Sequence, residues 1–315
     1  VCERGMTRCV LGTNRADVHA LPPCRVCLRQ SDTAYHQAWT KPLTYIEDPA
    51  LLSAFSELDL ASLADVTVEG VPLGSLVLPS LRWILRRHHL VDDAATRFIF
   101  RQYLLSAWSL QQVVDRMLED IQPRCLVVFN GMFYPEAVAR WTAQRRGTLV
   151  VSHEVGLQPF SAFFTTGEAT AYPIDIPESF DLNPAQSARL DDYLNARFQG
   201  HFSMAGIQFW PEMRSLSPEM QAKIEQFKQV VPVFTNVVFD TSQGHANVLY
   251  PHMFGWLNDV LSIIRQHPET LFIIRAHPDE HRGGKESCES VADWVRRNQV
   301  ESLANVIFVD SREYL

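Results

Sequence analysis

The chain carries the stretch Leu271-Phe272-Ile273-Ile274-Arg275-Ala276-His277-Pro278-Asp279-Glu280. Its first four residues form a continuous apolar run, which is typical of a strand buried on both faces of a parallel sheet. Pro278 holds the preceding residue in extended geometry, so the chain does not turn directly into a helix. Open α/β sheets bind ligands beyond the carboxyl ends of their strands, and this stretch brings charged side chains to that position.

Strands and helices alternate on both sides of this stretch. The sequence predicts strands at 231–240 and 306–309, and helices at 253–265 and 290–298. Alternation of this length is typical of a doubly wound parallel sheet. Such sheets usually have more strands than the three found here, so we expect only the first half of this domain in the chain.

A second β-α-β pattern lies earlier in the chain. Strands are predicted at 125–129 and 148–151, with a helix at 135–146 between them. Apolar residues at helical spacing predict further helices near 44–64, 94–120, 183–198 and 217–229. The fold class is therefore α/β, with two doubly wound, Rossmann-like domains.

Length and composition agree with two domains. The chain has 315 residues, of which 46% are hydrophobic and 20% charged, and a single core rarely grows that large. We place an N-terminal α/β domain at 1–230, with a Cys-rich start, and the first half of a C-terminal α/β domain at 231–315. The chain starts without Met and stops after a strand-like run, so both domains are expected to be incomplete at the chain ends.

The charge balance bears on partners and location. A net charge of −8 provides no overall positive field for a nucleic-acid backbone, so no nucleic-acid partner is expected. A local cluster is predicted to be a solvated face or a patch for an anionic lipid or glycan; it consists of Arg82, Arg86, Arg87, His88 and His89. The sequence has neither a spanning apolar run nor a signal-peptide pattern, which predicts a cytoplasmic protein, with peripheral association at the inner face of the membrane as a further option.

Four of the six cysteines crowd the start of the chain: Cys2, Cys9, Cys24 and Cys27. The C-x2-C spacing of Cys24 and Cys27 around a turn lets two thiolates share one Zn²⁺, and Cys2 and Cys9 could complete the site. The alternative is a set of reduced, partly buried thiols. The only metal that the sequence suggests is thus a structural zinc ion.

The strand-end side chains suit a phosphorylated ligand. Arg275 can bind a diphosphate as a bidentate fork, and His277 can act as a hydrogen-bond donor. The other interpretation is a histidine bound to a backbone carbonyl and an arginine in a surface salt bridge.

Four short segments resemble the nucleotide-binding half of capsule-polysaccharide biosynthesis proteins: Phe234–Asp240, Gly255–Leu257, Ile274–Glu280 and Phe308–Ser311. Those proteins resemble bacterial sialyl- and Kdo-transferases of the GT-B type and share a His-Pro motif that contacts the nucleotide phosphate. The resemblance places this motif at His277-Pro278. It also implies donor contacts by Arg275, Glu280 and Asp240.

The N-terminal half is similar to the acceptor side of that family. The similar residues are Asn130, Gly131, His153 and Gly156, with Glu154 implied as the general base because an acidic residue before a Gly has that role in related sialyltransferases. A loop-capping role for Glu154 is the alternative.

The resemblance implies transfer of a sugar from a nucleotide-activated donor to a polysaccharide or lipid-linked glycan, with no required cofactor. Two other functions stay open: polyol-phosphate transfer of the teichoic-acid polymerase type, and binding of a nucleotide-sugar or glycan without catalysis. Neither a G-x-G-x-x-G nor a P-loop pattern occurs, which argues against a dinucleotide oxidoreductase or a P-loop NTPase.

Overall fold

The computed structural model describes residues 17–21, 23–41, 43–199, 201 and 214–314. These residues form two compact units. The first takes in the described residues up to Leu85, together with 89–154 and 164–172. The second takes in 86–88, 155–163 and the described residues from Pro173 onward. The chain forms two three-stranded sheets with helices between strands, and it is an α/β protein.

Helices precede the strands in the first unit. They are α1 (Cys24–Ala34), α2 (Pro49–Ser56), α3 (Leu60–Ala64), α4 (Leu73–Leu85) and α5 (Ala94–Ile121). The region 44–64, predicted to be helical, holds two short helices. Asp48 caps the start of the first and Asp59 caps the start of the second, because each side chain accepts a backbone N–H of its helix.

Helix α5 provides much of the first unit's core. Every residue from Tyr103 to Leu110 is buried, and side chains of α5 share one apolar cluster with Leu73 and Leu81 of α4. The helix ends at Gln122, which has a left-handed φ of 48°. Pro123 follows and cannot continue a helix, which leaves the next residues free to form a strand.

The first sheet follows this helix. Its elements are β1 (Cys125–Phe129), α6 (Glu136–Arg145), β2 (Leu149–Val155) and β3 (Ala162–Thr165), and the strand order is β1-β2-β3. Strands β1 and β2 are parallel, with Val128 opposite Ser152 and Phe129 opposite His153. This confirms the predicted β-α-β unit.

The second unit contains the other sheet. Its elements are α7 (Pro184–Phe198), α8 (Pro218–Ile224), β4 (Gln229–Phe234), α9 (Gln243–Ala246), α10 (Met253–Gln266), β5 (Thr270–Arg275), α11 (Val291–Arg297) and β6 (Val306–Val309). All its strands are parallel, in the order β4-β5-β6. The carboxyl ends of the three strands therefore lie at one edge of the sheet.

Strand β4 is shorter than predicted. The predicted strand ran to Asp240, whereas β4 ends at Phe234. The backbone N–H of Val237 donates to the side chain of Asn236 at 2.8 Å, and the N–H of Asp240 donates to the Val237 carbonyl. Local bonds of this kind compete with a strand ladder, so residues 235–240 form turns at the sheet edge.

The segment Arg86–His88 belongs to the second unit and is not a solvated face. Arg86 is 9% exposed and His88 is 8% exposed. The Arg86 guanidinium lies 5.2 Å from the centre of the Phe239 ring and donates to the Gly284 carbonyl. The prediction of a solvated basic cluster is wrong for these two residues. Cation–π and backbone contacts compensate the burial of Arg86, and the ring of His88 packs 5.3 Å from that of His252.

None of the helices in the described parts of the chain has the length and apolar character needed to cross a bilayer.

Candidate functional site

The carboxyl ends of β1 and β2 bring Asn130 and Glu154 together. The Asn130 side-chain amide donates to a Glu154 carboxylate oxygen at 2.9 Å. The Asn130 Oδ1 accepts the backbone N–H of Met132, and the Asn130 N–H donates to the His153 carbonyl. Because these bonds fix the amide, they hold the Glu154 carboxylate in one orientation. A fixed, partly exposed carboxylate at a sheet edge can accept a proton.

Asn130 and Gly131 both adopt left-handed backbone geometry, with φ of 60° and 84°. Asn tolerates this region and Gly enters it without strain, so the chain can turn sharply after β1. A side chain on Gly131 would also approach the Ser152 hydroxyl at 3.0 Å. The predicted pair Asn130-Gly131 thus builds the turn that positions the amide.

His153 lies between two aromatic rings. The ring centres of Phe129 and Phe164 are 5.3 and 5.5 Å from that of the imidazole. Both phenylalanines are exposed, at 46% and 60%. These rings form a partly exposed aromatic surface around His153, on which a sugar ring could stack.

Gly156 occupies a position that excludes any side chain. Its backbone N–H donates to the Ser161 carbonyl, and an added Cβ would lie 2.1 Å from the Ser161 hydroxyl oxygen and 3.0 Å from the Ser161 carbonyl carbon. The tight turn between β2 and β3 therefore requires glycine.

We expect Gly156→Ala to lower the free energy of unfolding by about 1 to 3 kcal/mol, because the turn must open to fit the methyl group. Thermal unfolding followed by circular dichroism measures this. Gly283→Ala is the matched control, since an added Cβ there has no neighbour within 4 Å. Equal melting temperatures for the two variants would contradict the steric argument.

His277 lies two residues beyond the end of β5, at the predicted position. Its Nδ1 accepts the backbone N–H of Asp279 at 3.1 Å. Burial holds the pKa of His277 below its usual value, although the charges of Asp279 and Asp240 oppose that effect. The imidazole is therefore neutral near pH 7 and carries its proton on Nε2.

The Arg275 guanidinium ties together the ends of β5 and β6. One amino group donates to the carbonyls of Ala276 and Asp310, at 2.9 and 2.8 Å. The other is buried and has no hydrogen-bond partner among the described residues. Burial lowers the pKa of Arg275, but the group stays charged. One amino group of Arg275 therefore has a structural role, and the other is a hydrogen-bond donor without a partner among the described residues.

Asp240 belongs to a polar network at the end of β4. Its carboxylate accepts from the Ser242 hydroxyl at 2.6 Å, and the same hydroxyl accepts from the Asn236 amide at 3.2 Å. Asp240 is also close enough to His277 to influence its pKa. Two sequence-predicted donor residues, Asp240 and His277, therefore lie at the same edge of this sheet, beyond the ends of β4 and β5.

Pro278 and Glu280 lie on a 3₁₀ turn, Pro278–His281, that His277 caps. Glu280 is 1% exposed, and both its carboxylate oxygens accept the backbone N–H of Val291. The side chain thus lies inside the second unit at the start of α11. This placement favours a structural role over the predicted donor contact.

The predicted zinc ligands are only partly described. Cys24 and Cys27 both lie on α1, three residues apart on a helix, and not on the predicted turn. Cys2 and Cys9 lie outside the described residues. Within the residues that the structure describes, no group of three or more His, Cys, Asp or Glu side chains could hold a metal ion. Zinc binding stays a prediction.

Sequence reasoning missed a pocket beyond the end of β4. It has a volume of about 500 Å³, and its lining includes Gln243, Asn247, Tyr250, His252 and Trp256. The lining comes from a loop, a short helix and the start of α10. A periodic signal could not reveal it, because its side chains share no sequence spacing.

No family model matches the chain, and no curated protein matches it. Any function assigned to the chain must rest on the chemistry of the two sheet edges.

Proposed function

We propose that the chain is a glycosyltransferase of the GT-B type, which moves a sugar from a nucleotide-activated donor to a capsular or other surface glycan. One observation carries the proposal. Each of two parallel strand pairs ends in a polar constellation, Asn130 with Glu154 in the first unit and His277 with Asp240 in the second. Ligands of open α/β sheets bind at such edges.

The second unit supplies the groups for the donor phosphate. In the tautomer that the Asp279 contact selects, His277 carries its proton on Nε2, from which it can donate to a phosphoryl oxygen. The unused amino group of Arg275 provides positive charge nearby. Donors aimed at a departing phosphate stabilise the charge that develops on it.

The first unit supplies the base. Glu154 takes the proton of the acceptor hydroxyl while that oxygen forms a bond to the anomeric carbon of the donor sugar. The bond from that carbon to the phosphate oxygen breaks, and the nucleotide leaves with the electron pair. Asn130 keeps the carboxylate oriented during this step.

The proposal is tested by incubating purified protein with CMP-, CDP- and UDP-activated donors and a glycan acceptor. Sugar transfer releases the complete nucleotide and lengthens the glycan by a sugar. Release of CMP from a CDP-polyol would instead identify a polyol-phosphate transferase. Donor binding with no turnover, under conditions that preserve the fold, would identify a binding module.

We expect His277→Ala to weaken donor binding by about 1 to 3 kcal/mol, the loss of one phosphate contact, and to lower the melting temperature modestly, because the cap on the Asp279 N–H is lost as well. Titration calorimetry with the donor measures the affinity. His267→Ala is the matched control, because His267 is an exposed histidine that precedes β5. A variant that melts early but binds donor normally would show that His277 has a structural role only.

A further inference from the structure

The pocket beyond β4 has the side-chain amide of Gln243 in its lining. Gln243 is only 8% exposed, and its amide atoms are not among the fully buried side-chain atoms that lack a hydrogen-bond partner. The backbone of Gln243 is held by two hydrogen bonds. Its N–H donates to the backbone carbonyl of Asp240, and its carbonyl accepts the backbone N–H of Asn247. A side-chain amide in the lining of a cavity can donate to and accept from a ligand that enters it.

A second amide lies one helical turn away. Asn247 is four residues after Gln243 and also lines the pocket. Side chains at this spacing have Cβ atoms roughly 5 to 6 Å apart. A nucleobase presents adjacent polar atoms on one edge, and a single amide can form two hydrogen bonds with them. A sugar ring has hydroxyl groups spread around it, and two separated amides can each form a hydrogen bond with one of them.

The pocket is also electrically neutral. Its described lining includes no Lys, Arg, Asp or Glu side chain. The Nδ1 of His252 accepts the Gly255 N–H at 3.1 Å, so the imidazole is neutral in this arrangement. A bond to Asp259 keeps the pKa of Tyr250 raised, and its hydroxyl stays protonated. A carboxylate or phosphate bound here would lose water without gaining a countercharge.

Aromatic side chains complete the lining. Trp256 and Tyr250 come from α10 and the loop before it, and both are partly exposed. Aromatic side chains with a few polar groups are typical of small-molecule pockets, and a volume of about 500 Å³ accommodates a sugar ring with substituents.

We propose that this pocket binds an uncharged sugar ring, a hexose or an N-acetylhexosamine, and that it selects the glycosyl group of the donor. This inference rests on the proposed transferase function. Asn236 lines the pocket and binds Ser242, which in turn binds Asp240, which lies at the same sheet edge as His277. The pocket is therefore close to the groups assigned to the donor phosphate. Because its described lining has no cationic side chain, we expect it to exclude acidic sugars as donors.

Saturation-transfer NMR on the full chain tests the inference, with N-acetylglucosamine, N-acetylneuraminic acid, uridine and cytidine as probes. We expect N-acetylglucosamine to bind at least tenfold more tightly than N-acetylneuraminic acid. Gln243→Ala should weaken that binding about fivefold, the effect of one lost hydrogen bond. Gln266→Ala, at an exposed glutamine of α10, should leave it unchanged. If Gln243→Ala fails to fold, Asn247→Ala replaces it.

Three results would overturn the inference: equal binding of the acidic sugar, no binding of N-acetylglucosamine, or nucleoside binding that Gln243→Ala weakens. Failure of the proposed function has a different signature. In that case N-acetylglucosamine binds and Gln243→Ala weakens its binding, but His277→Ala does not change the affinity for CMP and UDP. This result would support the sugar-binding pocket and contradict the assignment as a transferase.

Discussion

Glu154→Gln should lower turnover by roughly two or more orders of magnitude while donor affinity and melting temperature stay nearly unchanged. The glutamine has the same shape, and its side-chain oxygen can still accept the bond that Asn130 donates to Glu154. An amide, however, cannot take the proton of an acceptor hydroxyl. Steady-state kinetics with the active donor, found among the CMP-, CDP- and UDP-activated sugars, measure turnover. Titration calorimetry measures donor affinity, and thermal unfolding measures the melting temperature.

Glu178→Gln is the matched control, since Glu178 is an exposed glutamate in a loop. This control should retain full turnover. Full turnover in Glu154→Gln would remove Glu154 from the mechanism. A joint loss of turnover and thermal stability would instead indicate that Glu154 has the loop-capping role that the sequence left open.

The sequence predicted the strands well where local signals were strong. Continuous apolar runs predicted β1, β5 and β6, and apolar residues at helical spacing predicted α5 and α7. In the structure, Asn183 and Gln186 form a capping box at the start of α7. These signals depend on side chains close in sequence, which is why a single chain is sufficient to find them.

The same reasoning could not find contacts between distant residues. Arg275 donates to the carbonyl of Asp310, which is 35 residues away, and Glu280 accepts from Val291, 11 residues away. Arg275 was predicted to contact a donor because a guanidinium at a strand end suits phosphate, and the family resemblance implied a donor contact for Glu280. Whether a charge faces a ligand or a backbone group depends on tertiary packing, which local patterns do not encode.

The pocket beyond β4 was missed for a related reason. Gln243 and Asn247 look like ordinary loop amides in the sequence, and only the fold brings both into the lining of one cavity. By contrast, Asn130 and Glu154 could be paired from sequence, because each lies at the carboxyl end of a strand of one β-α-β unit. Neighbouring parallel strands bring their carboxyl ends together without further information.

Glu280 provides a test of the second unit's stability. Its carboxyl group is 1% exposed, and burial raises its pKa to about 8, although the Val291 N–H opposes the shift. An unfolded glutamate has a pKa of about 4.3. Between these values the folded chain holds a proton that the unfolded chain has lost. The free energy of unfolding contributed by this group therefore falls as pH rises from about 4 to 8.

Glu280→Gln should remove this pH dependence, because glutamine does not ionise but can still accept from Val291. We expect the variant and the parent to have similar stability at pH 5, and the variant to be more stable at pH 8.5. The difference at pH 8.5 has an upper bound of about 5 kcal/mol, from the full shift in pKa. Denaturant unfolding at both pH values measures it, with Glu301→Gln, at an exposed glutamate of the same unit, as the control. A stability difference that is equal at pH 5 and pH 8.5 would mean that Glu280 stays ionised throughout, which is costly for a buried carboxylate with no cationic partner among the described residues.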